Sequence, residues 1–126
     1  MPYIFEEAEI LEGQPPLGSK QCVALVKEFA KAPAASLWRE GDVVRKNLSL
    51  KKGTAIATFV DGKYPNHGSG NHAALYLAQD ALGIWVIDQW AKSGTIQKRR
   101  LSFKGKDKDG NYVDPSNNGD AFSVIK

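Results

Sequence analysis

Residues 18 to 29 read GSKQCVALVKEF. Cys22, Leu25, Val26 and Phe29 fall at i, i+3, i+4 and i+7, one face of an amphipathic helix. Ser19 is placed to cap its start, and Pro33 closes the helical region. The only cysteine of the chain therefore stands in a first helical turn, at the top of a stripe that faces a core.

The segments around this helix have the other period. Upstream, residues 3 to 10 suit a strand or extended arm, and GQPPLG, residues 13 to 18, is a rigid breaker. Residues 34 to 52 carry no clean period; Trp38 and the pair Val43-Val44 are the expected anchors there. TAIATFV (54–60), HAALYLA (72–78), GIWVIDQW (83–90), TIQKRRLSF (95–103) and DAFSVIK (120–126) read as strands. DGKYPNHGSGN (61–71) and KGKDKDGN (104–111) read as loop and turn. The short link between 72–78 and 83–90 predicts a hairpin. The class is α+β: one N-terminal helix carrying the cysteine, packed on a curved, mostly antiparallel sheet. Residues 1–126 suit one domain.

Composition narrows the function. With 42% hydrophobic residues in 126, the chain can bury one modest core. No run approaches the roughly 20 apolar residues of a membrane span. The start, MPYIFEEAEI, lacks a basic segment and a long apolar run, so export through a secretory signal is not expected. Net charge is +3. The clusters Lys98-Arg99-Arg100 and Lys104-Gly105-Lys106-Asp107-Lys108 read first as solvated charges on a strand and a hairpin, and second as attraction to an anionic partner. No nucleic-acid motif accompanies them. One cysteine forms no internal disulfide, and with two histidines it falls short of a four-ligand structural zinc site.

Cys22 is thus either small core filler or a reactive thiol. A helix start favours the second reading, because its unpaired N–H groups stabilise a thiolate and later an oxyanion. A nucleophilic thiol needs a base, and the base an orienting partner. His72 opens a strand directly after a flexible loop. If the following hairpin pairs about Asp80, Asp88 comes opposite His72; a slip of one residue brings Gln89 instead. The carboxylate is the preferred partner, since it orients the imidazole and stabilises its charged form; Gln89 is the neutral alternative. His67 reads as a solvent-exposed loop residue, and Trp85 and Trp90 as core and rim packing.

The ordered set resembles the papain-like cell-wall amidases, the CHAP group and its NlpC-type relatives. The residues that carry the likeness are Gln21-Cys22 opening VALVKEF, Gly53-Thr54 leading into AIATF, Gly70-Asn71-His72 opening an apolar strand, and IWVIDQW after it. Where NlpC-type relatives carry a tyrosine a few residues before the cysteine, this chain has Ser19. Asn71 also separates Gly70 from His72. The resemblance implies Cys22 as nucleophile, His72 as general base and Asp88 as its orienting group. The Cys22 amide would line the oxyanion hole, with Gln21 and Gln89 near oxyanion and substrate. It implies hydrolysis of a stem-peptide or sugar–peptide amide in peptidoglycan through a thioester, with no metal or organic cofactor. A wall amidase without a secretory signal further resembles type VI secretion effectors, which act in a neighbour's periplasm and are held in check by a cognate immunity protein. A phage-type lysis enzyme and a catalytically silent papain-like binding module are the other readings.

Overall fold

A computed structural model describes residues 2–65 and 70–126. His67 lies outside the described residues. The helix, α1, spans Cys22–Ala30. Among the described residues six strands follow: β1 (Glu40–Val43), β2 (Ala55–Thr58), β3 (Ala73–Gln79), β4 (Gly83–Asp88), β5 (Gln97–Ser102) and β6 (Phe122–Ile125). They form one sheet in the order β1-β6-β2-β3-β4-β5, with every pairing antiparallel. One helix on an antiparallel sheet is the expected α+β arrangement.

The middle strands β2, β3 and β4 are covered on both faces. On the helix side, Leu25, Val26 and Trp38 pack with Ala55, Ala57, Leu75, Leu77, Ile87 and Ile125. On the other side Val44, Ile56, Tyr76, Val86, Leu101 and Phe122 make a second cluster, closed by Leu50, Phe103 and Tyr112. Two-sided burial explains why HAALYLA is a continuous apolar run rather than an alternation.

Several boundaries move relative to expectation. The helix begins at Cys22, not at Ser19. Its N-cap is Gln21, which is extended, and no side chain caps it. Ser19 Oγ instead accepts a 3.4 Å bond from the Gln21 amide. Residues Ala8–Leu11 form a 3-10 turn rather than a strand; only Ile4 bridges to the sheet, at Thr54. The arm lies across Gly53, whose φ is +91° and where a Cβ would come within 1.9 Å of the Phe5 carbonyl oxygen. Only glycine fits that approach. Trp38 and Val44 are core residues as expected, but Val43 points outward and is exposed.

Trp38 is fully buried and donates its indole N–H to the Pro33 carbonyl at 2.8 Å. It fixes the chain that leaves the helix to the underside of the sheet. Trp38→Ala is expected to cost about 3–5 kcal/mol of stability, read from urea midpoints; a cost under about 1 kcal/mol would show that this anchor is dispensable.

The β3–β4 hairpin turns at Asp80, whose Oδ1 accepts from the amides of Leu82 and Gly83 at 2.8 and 3.0 Å. Beside the turn Gln79 pairs with Ile84 and Ala78 with Trp85. Beyond an irregularity between Tyr76 and Ala78 the partners become Tyr76–Val86 and Leu75–Ile87. Leu77 is the additional residue, a β-bulge. It packs on the helix side, as does Leu75. Extending the register past the bulge sets Asp88 opposite Ala74, two positions from the expected pairing with His72. Residues 72 and 74 share a face, so Asp88 is a diagonal neighbour of His72.

Candidate active site

Three elements converge at one end of the sheet: the tip of α1, the start of β3 and the end of β4. Cys22, in the first helical turn, is half-buried and packs against the helix-side core. The amphipathic stripe therefore fixes the position of the sulfur. His72 immediately precedes β3. Its amide donates to Thr58 Oγ1 at 3.0 Å and its carbonyl accepts from the Thr58 amide at 3.0 Å, so β2 holds its backbone from one side. The ring is buried and meets the Phe122 ring edge-on.

His72 Nε2 lies 2.7 Å from Asp88 Oδ2. The ring therefore leaves Nδ1 for the thiol, and Cys22 and His72 interact through a hydrogen bond and through charge. Burial works against ionisation of the thiol. The hydrogen bond and charge of His72 outweigh it, helped by the Tyr64 hydroxyl and the Ala73 amide, and the Cys22 pKa is lowered. Burial also works against a charged imidazole, but the hydrogen bonds with Asp88 and Cys22 and their charges win, and the His72 pKa is raised to about 9. Both shifts favour a thiolate–imidazolium pair over the neutral thiol and imidazole.

The two polar residues at the end of β4 divide their work by the period of a strand. Asp88 points to the His72 face and has no exposed surface. Gln89 points the opposite way, to the chain that leads into the helix. It accepts from the Leu17 amide at 2.9 Å and donates to the carbonyls of Leu17 at 3.1 Å and Gln21 at 2.8 Å. Gln89 is therefore not the partner of His72; it ties down the backbone that presents Cys22. Gln21 contributes that carbonyl, while its side chain stands in an exposed position.

Sequence reasoning missed two groups. Tyr64 brings its hydroxyl 3.6 Å from Cys22 Sγ and accepts from Asn71 Nδ2 at 3.3 Å. Burial, then the charge of Cys22, raises its pKa, so the phenol stays protonated and is a donor toward the sulfur. A tyrosine thus reaches the thiol from a loop instead of from the turn before the cysteine, and Asn71, which looked like an interruption, braces it. The second group is Arg99. The run Lys98-Arg99-Arg100 is not uniformly solvated: Arg99 donates from Nε and Nη2 to Asp88 at 2.6–3.1 Å. Arg100 reaches Asp80, and Lys98 lies 3.7 Å from Glu9. Strand alternation alone would have pointed Arg99 to the Asp88 face, but only once the β4–β5 register was known. Trp85 packs against the helix-side core, and Trp90 lies under the Arg99 guanidinium at 4.6 Å, consistent with core and rim.

Among the described residues no group of three or more His, Cys, Asp or Glu stands together as a metal-ligand set, and no helix is long and apolar enough to cross a membrane.

Thiol reactivity checks the electrostatics. The rate of alkylation of Cys22 by iodoacetamide should rise through a pH below 9, the thiol's ordinary value, and change again near the imidazolium pKa of about 9. Reaction that begins only above pH 9, or only after unfolding, would mark Cys22 as inert filler. Both apparent values belong to the coupled pair.

Comparison with known proteins gives a consistent picture. A family model described as "Domesticated amidase effector 2" matches residues 5–125. The chain is 41% identical to a type VI secretion amidase effector 2 protein of Salmonella typhi, over the whole length of both. It is 36% identical to a domesticated amidase effector 2 of Ixodes scapularis, over 85% of this chain and 71% of that one. A solved structure of a type 6 secretion amidase effector 2 superposes with a TM-score of 0.91 at 39% identity, covering 98% of this chain and 94% of the other.

Proposed function

The chain belongs to the amidase effector 2 family, and from that premise we propose that Cys22, His72 and Asp88 are the nucleophile, general base and orienting carboxylate of a peptidoglycan amidase. The carrying observation is the continuous contact from the Cys22 thiol through the His72 ring to a buried Asp88 2.7 Å away. The thiolate attacks the carbonyl carbon of the scissile amide. The Cys22 amide, free at the helix start, and the Tyr64 hydroxyl are the donors placed for the resulting oxyanion. Imidazolium Nδ1 gives its proton to the departing amine, leaving a thioester on Cys22. Neutral His72 then takes a proton from water, whose oxygen attacks the thioester. The carboxylic acid leaves, and the thiolate–imidazolium pair is restored. Asp88 keeps Nε2 protonated and the ring in line throughout.

The reaction draws on side chains and backbone of this chain and on water. The substrate is an amide of the wall polymer, either within the stem peptide or between sugar and peptide. As a type VI effector the protein leaves its producer by the type VI route and acts in the periplasm of a neighbouring cell. A producer of such an enzyme requires a cognate immunity protein that blocks the site. Mass spectrometry of muropeptides after incubation with the wild type and with Cys22→Ala tests the reading and names the bond. New termini at one amide, absent with Cys22→Ala, are expected; unchanged muropeptides with a fully alkylatable Cys22 would move the activity to another substrate.

A further inference from the structure

We infer that Arg99 is a positioning residue of this site, acting through Asp88, and that Trp90 and the 3-10 turn Pro115–Asn117 exist in part to hold it. The inference rests on the assignment of Asp88 to the machinery. Asp88 is wholly buried, and a buried charge is held only where it is paired and hydrogen-bonded. Two cations face it: His72 from the start of β3 and Arg99 from β5. Arg99 pairs with Val86 in the sheet, which sets its side chain diagonally across from Asp88. Its Nη2 is 2.6 Å from Oδ2, the same oxygen that His72 Nε2 meets, and its Nε spans both oxygens. That fork fixes the plane of the carboxylate, which a single-point ammonium does not do.

Arg99 is itself immobilised. Its Nη1 donates to Asn117 Oδ1 at 3.1 Å, and the guanidinium lies 4.6 Å from the Trp90 ring centroid. Asn117 donates in turn to Asp114 at 3.2–3.3 Å, and Asp114 pairs with Lys104 at 2.9 Å. The charged groups around the chain of contacts are thus Cys22 and His72 on one side, Arg99 in the middle, and Asp114 with Lys104 on the far side. Ser116 of the same turn donates to the carbonyl of Asn71, beside His72, at 3.4 Å. Segment 104–118, whose sequence has no catalytic motif, joins the site through Arg99.

The consequence is a pH profile. Arg99 Nη2 and His72 Nε2 meet the same Asp88 oxygen, and removing a cation from beside an imidazolium raises the imidazolium pKa. Arg99→Gln should move the alkaline limb of turnover, set by His72, up by about one pH unit. It should also lower kcat by roughly 10- to 100-fold through a misdirected imidazole, with KM little changed. Arg99→Lys keeps the charge and loses the fork: its alkaline limb should stay at the wild-type pH while kcat falls about tenfold. A role confined to stability would lower Tm and leave both limbs and the kcat of the folded fraction where they are; that result, in either variant, overturns the inference. Arg99→Lys carries the test if Arg99→Gln fails to fold. Asp88→Asn separates the two levels. If it moves the profile and Arg99→Gln does not, only the assignment of Arg99 fails. If Asp88→Asn also leaves the profile unmoved, the reading of Asp88 falls with it.

Discussion

Cys22→Ala is expected to abolish amide hydrolysis, and His72→Ala to come close to doing so. Loss of the sulfur removes the atom that carries the thioester, so no residual pathway of the same kind remains; a fall of at least about 10⁴-fold in kcat is the expected scale. His72→Ala leaves a thiol without its ionising partner and a leaving amine without its proton, at a cost of about 10³-fold or more. Neither change should unfold the protein. Cys22 is only half-buried, and removal of its sulfur costs little packing in a core centred on Leu25, Val26 and Trp38. Turnover assays on purified peptidoglycan, paired with circular dichroism, separate loss of chemistry from loss of fold. Measurable wild-type turnover in Cys22→Ala would remove covalent catalysis altogether. The two variants should also be non-additive, because they disable one unit.

The second large effect falls on both activity and stability. Asp88 is buried between two cationic groups, so Asp88→Ala leaves Arg99 facing an apolar hole and should cost about 3–5 kcal/mol. Asp88→Asn keeps the shape and isolates the charge. The imidazolium then loses its counter-charge, and its pKa falls from about 9. The sign is definite: the alkaline limb of activity moves to lower pH, the pH window of the thiolate–imidazolium pair narrows, and kcat falls about 10²-fold. A pH–rate profile of Asp88→Asn checks it. Unchanged limbs would mean that the carboxylate does not communicate with the ring.

Much of this arrangement was legible before any coordinates. Cys22, Leu25, Val26 and Phe29 mark a helix face because the helical period is strong over two turns, and the sulfur at its head follows from position alone. The hairpin was legible from two apolar runs and a short turn. What stayed hidden has a common cause. Ser19 looked like the cap, but the chain from Leu17 to Gln21 is held by Gln89 from the sheet, a tertiary contact that local preference does not report. Tyr64 sits in a loop with no period, so nothing in its neighbourhood marks it. Arg99 was one of three adjacent cations, and only strand register separates the one that faces inward from its neighbours. The choice between Asp88 and Gln89 likewise hung on register, and HAALYLA, apolar on both faces, carries no alternation from which a bulge can be read.

That bulge has a consequence for reading relatives of this protein. An antiparallel ribbon works as a ruler whose graduations alternate in colour, and Leu77 adds one graduation to one edge. A homologue lacking the bulge residue would bring the pairs Ala78–Trp85 and Tyr76–Val86 directly together and would still show the acid to the ring, whereas the loss of a residue from the regular ladder would turn the amide toward it. A gap inside this short span is therefore harmless or decisive according to where it falls, and the third member of such a site has to be found by following strand pairs, not by counting residues around the hairpin.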